Sequence, residues 1–180
     1  MEKIKNFFGI YRPNVRKLCV IGMLTAMTAA LGMYCTIRIG TGIKISFKFV
    51  SVYLISSLFG PVWGGISCVI SDILAYAVNP VASFLPMITF SEFLYGFTDG
   101  LFYYGKKDFD KKMIIRIILC VTVEIIFINI FLTSYFLIPV MGLGYKELII
   151  MRLPAAAVTY IVRIALLIPL SAALSKTKIM

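Results

Sequence analysis

Of the 180 residues, 61% are hydrophobic, and the mean hydropathy is +0.97, well above the apolar share of about 45 to 50% usual in soluble domains. This excludes an ordinary soluble enzyme and predicts an integral membrane protein. At about 20 apolar residues per crossing, the chain supplies five or six helical spans and leaves no room for a separate soluble domain. The formal charge of +10, from 18 Lys and Arg against 8 Asp and Glu with no histidine, reads as a topology marker, and no nucleic-acid partner is expected.

The first residues, MEKIKNFFGIYRPNVRK, are basic but lack a short apolar core followed by a small-residue cleavage site. The first hydrophobic run is therefore expected to stay in the membrane. Apolar runs, each read as a helix, cover residues 15–34, 45–59, 62–78, 84–104, 113–138 and 148–174, in a single membrane domain over 1–180 preceded by a cytoplasmic segment, 1–14. In the first run Gly22, Ala26 and Ala30 recur every four residues. Such a face lets another helix backbone approach closely, either within the chain or on a partner subunit. After it comes TIRIGTGIKISFKFV, residues 36–50, which alternates apolar and polar positions and reads as a short hairpin turned at Gly40-Thr41-Gly42. The second and third runs are short and joined by Gly60-Pro61, a pair that predicts a tight helical hairpin.

Basic residues concentrate in short cytoplasmic loops. With six spans, the two ends of the chain, the Gly60-Pro61 turn and the GKKDFDKK loop share one side, which then holds twelve of the 18 basic residues. That side is expected to be the cytoplasm. Arg38, Lys44, Lys48, Lys146 and Arg152 fall on the other side, against the bias. Either they snorkel to lipid phosphates, or they form an anion site that faces outward.

Asp72, Glu92, Asp99, Glu124 and Arg163 sit inside predicted spans, where an ionisable group costs several kcal/mol unless it is paired or lines a polar cavity. Arg163 lies ~22 Å from the outer end of its span, similar in depth to Asp99 and Glu124, and is expected to pair with one of them. Glu92 stands only ~9 Å inside its span. It can meet a ligand or accept hydrogen bonds from helix ends. Cys19, Cys35, Cys68 and Cys120 form no C-x-x-C pair, and with no histidine available no metal is expected; they read as small buried apolar residues. The G-x-x-x-x-G-K-[ST] phosphate loop is absent, so ATP is not bound in the usual way. The segment GFTDG around Asp99 approaches the G-x-G-D pattern of intramembrane aspartyl proteases, but it has Thr at the third position and lacks a second aspartate motif. The protein is expected not to be an enzyme and to need no cofactor.

The segment GIKISFKFVSVYLISSLFGPVWGGISCVISDILAYAVNP, followed by FLPMITFSEFLYGFTDGLFYY, resembles the folate-type substrate-binding S component of energy-coupling factor (ECF) vitamin transporters. The likeness runs from the first span through the fourth, with ISFKF, LFGPVWGG, SD and the proline-aromatic approach to the fourth span in order. The F-G-P-x-x-G hairpin is shared by several vitamin specificities, so an S component for riboflavin, pantothenate or pyridoxine is the alternative. A membrane scaffold protein without transport function is the alternative of another class. ISF combined with FLP favours folate, while Lys48 and Ser51 depart from the small and proline residues expected after ISF.

The resemblance implies six helices in the plasma membrane, one vitamin bound near the extracellular face, and docking onto a transmembrane scaffold subunit driven by two cytoplasmic ATPases. It also implies that the whole subunit topples in the membrane. An A-x-x-x-A face on the first helix contacts the scaffold in this family; Ala26 and Ala30 occupy it here, with Gly22 on the same face. Folate brings two carboxylates and a flat pterin ring. Arg38 is the candidate for a two-pronged carboxylate contact, with Lys44, Lys48 and Arg152 as supporting charges, and the hairpin is the candidate lid. Glu92 is expected to accept hydrogen bonds from the pterin. Tyr34, Phe84 and Tyr135 are candidates to stack on the ring, their other reading being an interfacial aromatic belt.

Overall fold

The computed structural model describes residues 14–39, 43–78, 86–106, 110–142 and 144–176. Helix α1 (Val15–Tyr34) leads into two antiparallel strands, β1 (Thr36–Ile39) and β2 (Ile43–Ser46), whose register sets Arg38 opposite Lys44. The turn at 40–42 lies outside the described residues. Helix α2 (Phe49–Phe59) begins four residues later than hydropathy predicts, because Ile43–Ser46 is spent on the strand. The backbone N–H of Phe47 donates to the Cys35 carbonyl at 3.3 Å and fastens the base of the hairpin to the end of α1.

Gly60 joins α2 to α3 (Pro61–Val78) with φ 95°. Only glycine adopts that conformation cheaply, and proline is well suited to the first helical position that follows. The pair therefore reverses the chain in a single residue. Helix α4 (Pro86–Tyr103) then runs against α3 at backbone contact. A Cβ added at Gly64 would come 2.6 Å from the Gly96 carbonyl oxygen, and one at Gly96 would come 2.8 Å from Cys68 Sγ. Ser56 Oγ donates to the Gly96 carbonyl at 3.0 Å, which stitches α2 into the same crossing. Gly64→Val is expected to force these helices apart at a cost of about 1 to 3 kcal/mol. The readout is the thermal midpoint of the purified protein in detergent, and an unchanged midpoint would remove this close approach as a determinant of the fold.

From α5 (Lys111–Val123) the chain passes without a break into a π-helical stretch, Glu124–Thr133, and then into α6 (Ser134–Met141). The wider register shows in the side chains. Thr133 Oγ1 donates to the carbonyl of Ile128, five residues back, at 2.7 Å, whereas Thr25, Thr28 and Thr159 each reach a carbonyl four residues back. Gly142, left-handed at φ 63°, closes α6. Helix α7 (Tyr145–Lys176) follows, with Pro154 and Pro169 inside it.

The main core joins α2, α4, α5, the π-helical stretch and α7 through Phe49, Tyr53, Tyr103, Ile117, Ile125 and Leu167. Tyr53 and Tyr103 meet edge to face with centroids 4.8 Å apart, a geometry aromatic quadrupoles favour. A smaller cluster of Ile21, Ile55 and Phe59 holds α1 on α2.

Among the described residues four helical segments are long and apolar enough to cross a membrane: Val15–Tyr34, Pro61–Val78, Lys111–Pro139 and Tyr145–Ser175. Large apolar side chains such as Met23, Phe127, Ile150 and Ile161 are exposed on them, as a lipid-facing surface requires. Cys68 and Cys120 are buried, but Cys19 and Cys35 are exposed, against the expectation of burial for all four. An apolar helix in a membrane has no need to hide a small thiol inside protein.

Candidate functional site

Long apolar helices bring ionisable residues together only at a cost, so the place where they converge marks the site. That place is a cavity of about 390 Å³ at the hairpin end of the bundle, within the size range of small-molecule pockets. Its wall is drawn from α1, β2, α2, α3, α4, the π-helical stretch, α6 and α7.

Among the described residues three cations line it, and each has a different partner. Lys48, at the start of α2, forms an ion pair with Glu92 of α4. Arg163 of α7 forms an ion pair with Glu124, and its guanidinium lies over the rings of Phe49 and Tyr95 at 5.3 and 5.4 Å from their centroids. Glu124 opens the π-helical stretch and is buried, as is Asp99, and the Cys120 thiol reaches both carboxylates at 3.6 and 3.7 Å. Asp99, Cys120 and Glu124 lie close enough to share a metal ion, and Arg163 brings a positive charge to Glu124. Of the two acids that matched it in depth, Glu124 is the one that Arg163 pairs with. The third cation, Arg152, donates from Nη1 to the backbone carbonyl of Asn129 at 3.2 Å.

The remaining polar wall comes from α3, α4 and the hairpin together with Thr28 of α1, Asn129 and Thr133 of the π-helical stretch and Thr159 of α7. Asp72 Oδ2 accepts from Thr89 Oγ1 at 2.8 Å. Ser46 Oγ is buried at the cavity wall with no hydrogen-bond partner among the described residues. A buried hydroxyl in that state is available to a ligand.

Of the residues proposed from the sequence as ligand contacts, Lys48, Glu92 and Arg152 are brought together on this cavity, along with Asp72 and Arg163 from the intramembrane ionisable residues. Tyr34 and Tyr135 do not line it; they are 81% and 64% exposed. Tyr34 is the last residue of α1, and Tyr135 turns outward from α6 against Phe136. The aromatic wall consists instead of Phe49 and Tyr95. Tyr95 stands three residues after Glu92, a spacing that places both on one helical face and was readable in advance. Asn129 and Thr133, four residues apart, share a helical face by the same rule, but which way that face turns depends on the π-helical register. Phe84 and the side chains of Arg38 and Lys44 lie outside the described residues. Gly22, Ala26 and Ala30 are exposed along one side of α1, and a Cβ at Gly22 would meet nothing within 4 Å.

A helical membrane protein with a charged cavity among its described residues, acids on one wall and an arginine on another, has the features of a protein that binds a small polar solute. The sequence model of the family described as the ECF-type riboflavin transporter, S component, matches residues 12–176, and the chain belongs to that family of S components. It is 30% identical over 118 residues to the folate transporter FolT of Clostridium novyi (strain NT), a match spanning 66% of this chain and 66% of that protein. FolT of Leuconostoc mesenteroides subsp. mesenteroides is 28% identical over 140 residues, 77% of this chain and 72% of that one. A crystal structure of FolT bound with folic acid superposes with a TM-score of 0.77 at 26% identity, covering 88% of this chain and 92% of the other.

Proposed function

We propose that this chain is the folate-binding S component of an ECF importer, a substrate-binding transport subunit rather than an enzyme. The observation that carries the reading is the two-sided cavity, with acids for the donor-rich pterin edge on α3 and α4 and an arginine for a carboxylate on α7. The likeness to folic-acid-bound FolT supports it. Riboflavin, the vitamin named in the family's description, is the second reading; it bears no carboxylate and leaves the arginine wall without a counterpart.

In this proposal residues 1–180 form a single plasma-membrane domain of six spans with both ends of the chain in the cytoplasm, and the cavity faces outward. The β1–β2 hairpin closes over the ligand and brings Arg38 and Lys44 to its carboxylates, while Glu92 accepts from the pterin. The Gly22, Ala26 and Ala30 face seats against a transmembrane scaffold subunit, and two ATPases supply the energy that this chain has no phosphate loop to extract.

A thermal-shift titration of the detergent-solubilised protein tests the ligand. Folic acid and 5-formyltetrahydrofolate are expected to raise the midpoint saturably, because a ligand that binds only the folded state stabilises it as its concentration passes Kd. Riboflavin, pantothenate and pyridoxine are expected to leave it in place. A shift with one of those three alone would keep the transport reading and discard folate.

A further inference from the structure

A cation helps to select an anionic ligand only if its charge is not already neutralised by the protein. Of the three cations on the cavity wall, Lys48 is matched by Glu92, and Arg163 by Glu124 and two aromatic rings. Arg152 has no carboxylate partner among the described residues. The nearest acid in sequence, Glu147, accepts from the backbone N–H of Gly144 at 3.3 Å, at the start of α7.

What holds Arg152 is a carbonyl, and the difference matters. A neutral acceptor fixes the direction of a guanidinium while leaving its charge uncompensated, and one bond to Asn129 uses only one of the five N–H donors. The π-helical stretch supplies the anchors of both arginines, Glu124 for Arg163 and Asn129 for Arg152. One anchor cancels its arginine's charge; the other preserves it.

We infer that Arg152 is the residue that determines specificity for an anionic ligand, taking the ligand's carboxylate in a charge-assisted contact, and that Lys48 instead serves as the counter-charge of Glu92. This inference rests on the folate reading and deepens it. The ligand then lies in one orientation, with its donor edge on the Glu92 and Asp72 wall and its carboxylates toward α7. Glu92 and Asp72 stand on the packed α3–α4 pair, whereas Arg152 stands on α7, which packs on α5, α6, the π-helical stretch, β2 and α2. The ligand thus bridges two parts of the bundle.

The test compares folic acid with its α,γ-dimethyl ester, which keeps the pterin and loses both negative charges, in direct binding measurements on the full chain in detergent. Wild-type protein is expected to bind the diester about tenfold to a hundredfold more weakly than the acid, the range for a charge-assisted hydrogen bond in a partly buried site. Arg152→Gln is expected to lose most of that preference, with folic acid weakened toward the level of the diester and Arg38 and Lys44 accounting for what remains. Arg152→Lys should restore part of it. Lys48→Gln should weaken acid and diester alike and keep their ratio. Retention of the wild-type ratio in Arg152→Gln, or its loss in Lys48→Gln, would overturn the assignment. If Arg152→Gln does not fold, Arg152→Lys and the wild-type ratio decide: equal wild-type affinity for acid and diester overturns it as well. Failure of the wild-type protein to bind folic acid at all appears before any variant is made, and it removes the folate reading itself.

Discussion

Arg163→Met is expected to lower stability by about 3 to 5 kcal/mol, the range for removing one member of a buried ion pair. The guanidinium fills a slot between the Phe49 and Tyr95 rings and neutralises Glu124. Without it, two buried carboxylates, Asp99 and Glu124, would be left with only the Cys120 thiol between them. Methionine replaces the volume but not the charge, so the loss is electrostatic rather than a packing defect. The thermal midpoint in detergent reads it. The double variant Arg163→Met, Glu124→Leu should recover much of the loss, because an apolar pair of similar volume often matches a buried ion pair in stability. Equal midpoints for wild type and the single variant would show that the pair does not hold the bundle together.

Ala26→Trp is expected to separate binding from transport, with uptake in cells falling to background while the affinity of the purified subunit for folic acid is unchanged. Helix α1 has two faces. Thr25, Thr28 and Ala29 are buried against the bundle, and Thr28, Ala29 and Gly32 reach the cavity. Gly22, Ala26 and Ala30 are exposed, and Ala26 does not line the cavity. In a membrane, helices associate through close van der Waals packing of small residues. An indole at the centre of that face would hold a partner helix several ångströms away without disturbing the interior. Uptake at the wild-type rate would show that the scaffold docks elsewhere.

Where one physical rule acts alone, the sequence was easy to read. Gly60-Pro61 allows almost nothing but a sharp reversal between helices, and α2 and α3 meet there. Arg163 had to find an acid at its own depth; the sequence left Asp99 and Glu124 as the choices, and the structure pairs it with Glu124. The start of α2 was misplaced because Ile45 and Phe47 are as apolar as helix residues, and hydropathy does not distinguish a covered strand from a span. The cavity's composition was only partly legible. Tyr34 and Tyr135 looked like ring-stacking partners by depth, yet depth says nothing about which way a side chain turns, and both point away from the bundle. The matching of cations to anchors was hidden for another reason. It depends on the register of Glu124–Thr133, an unbroken apolar run except for its first residue, Asn129 and Thr133, in which α- and π-helix leave the same hydropathy trace.

That register makes the count of residues as important as their kind. Wound as an α-helix, the same five steps from Glu124 to Asn129 would turn the two anchors relative to one another by about 90°, and deleting one residue between them would bring them back nearly into line. Insertions and deletions are ordinarily tolerated in loops and uninformative there. Within this helix a one-residue gap between related sequences would be a sign of an α-helix in place of the π-helix, with the two anchors kept in line, visible in an alignment even where no side chain facing the cavity has been exchanged.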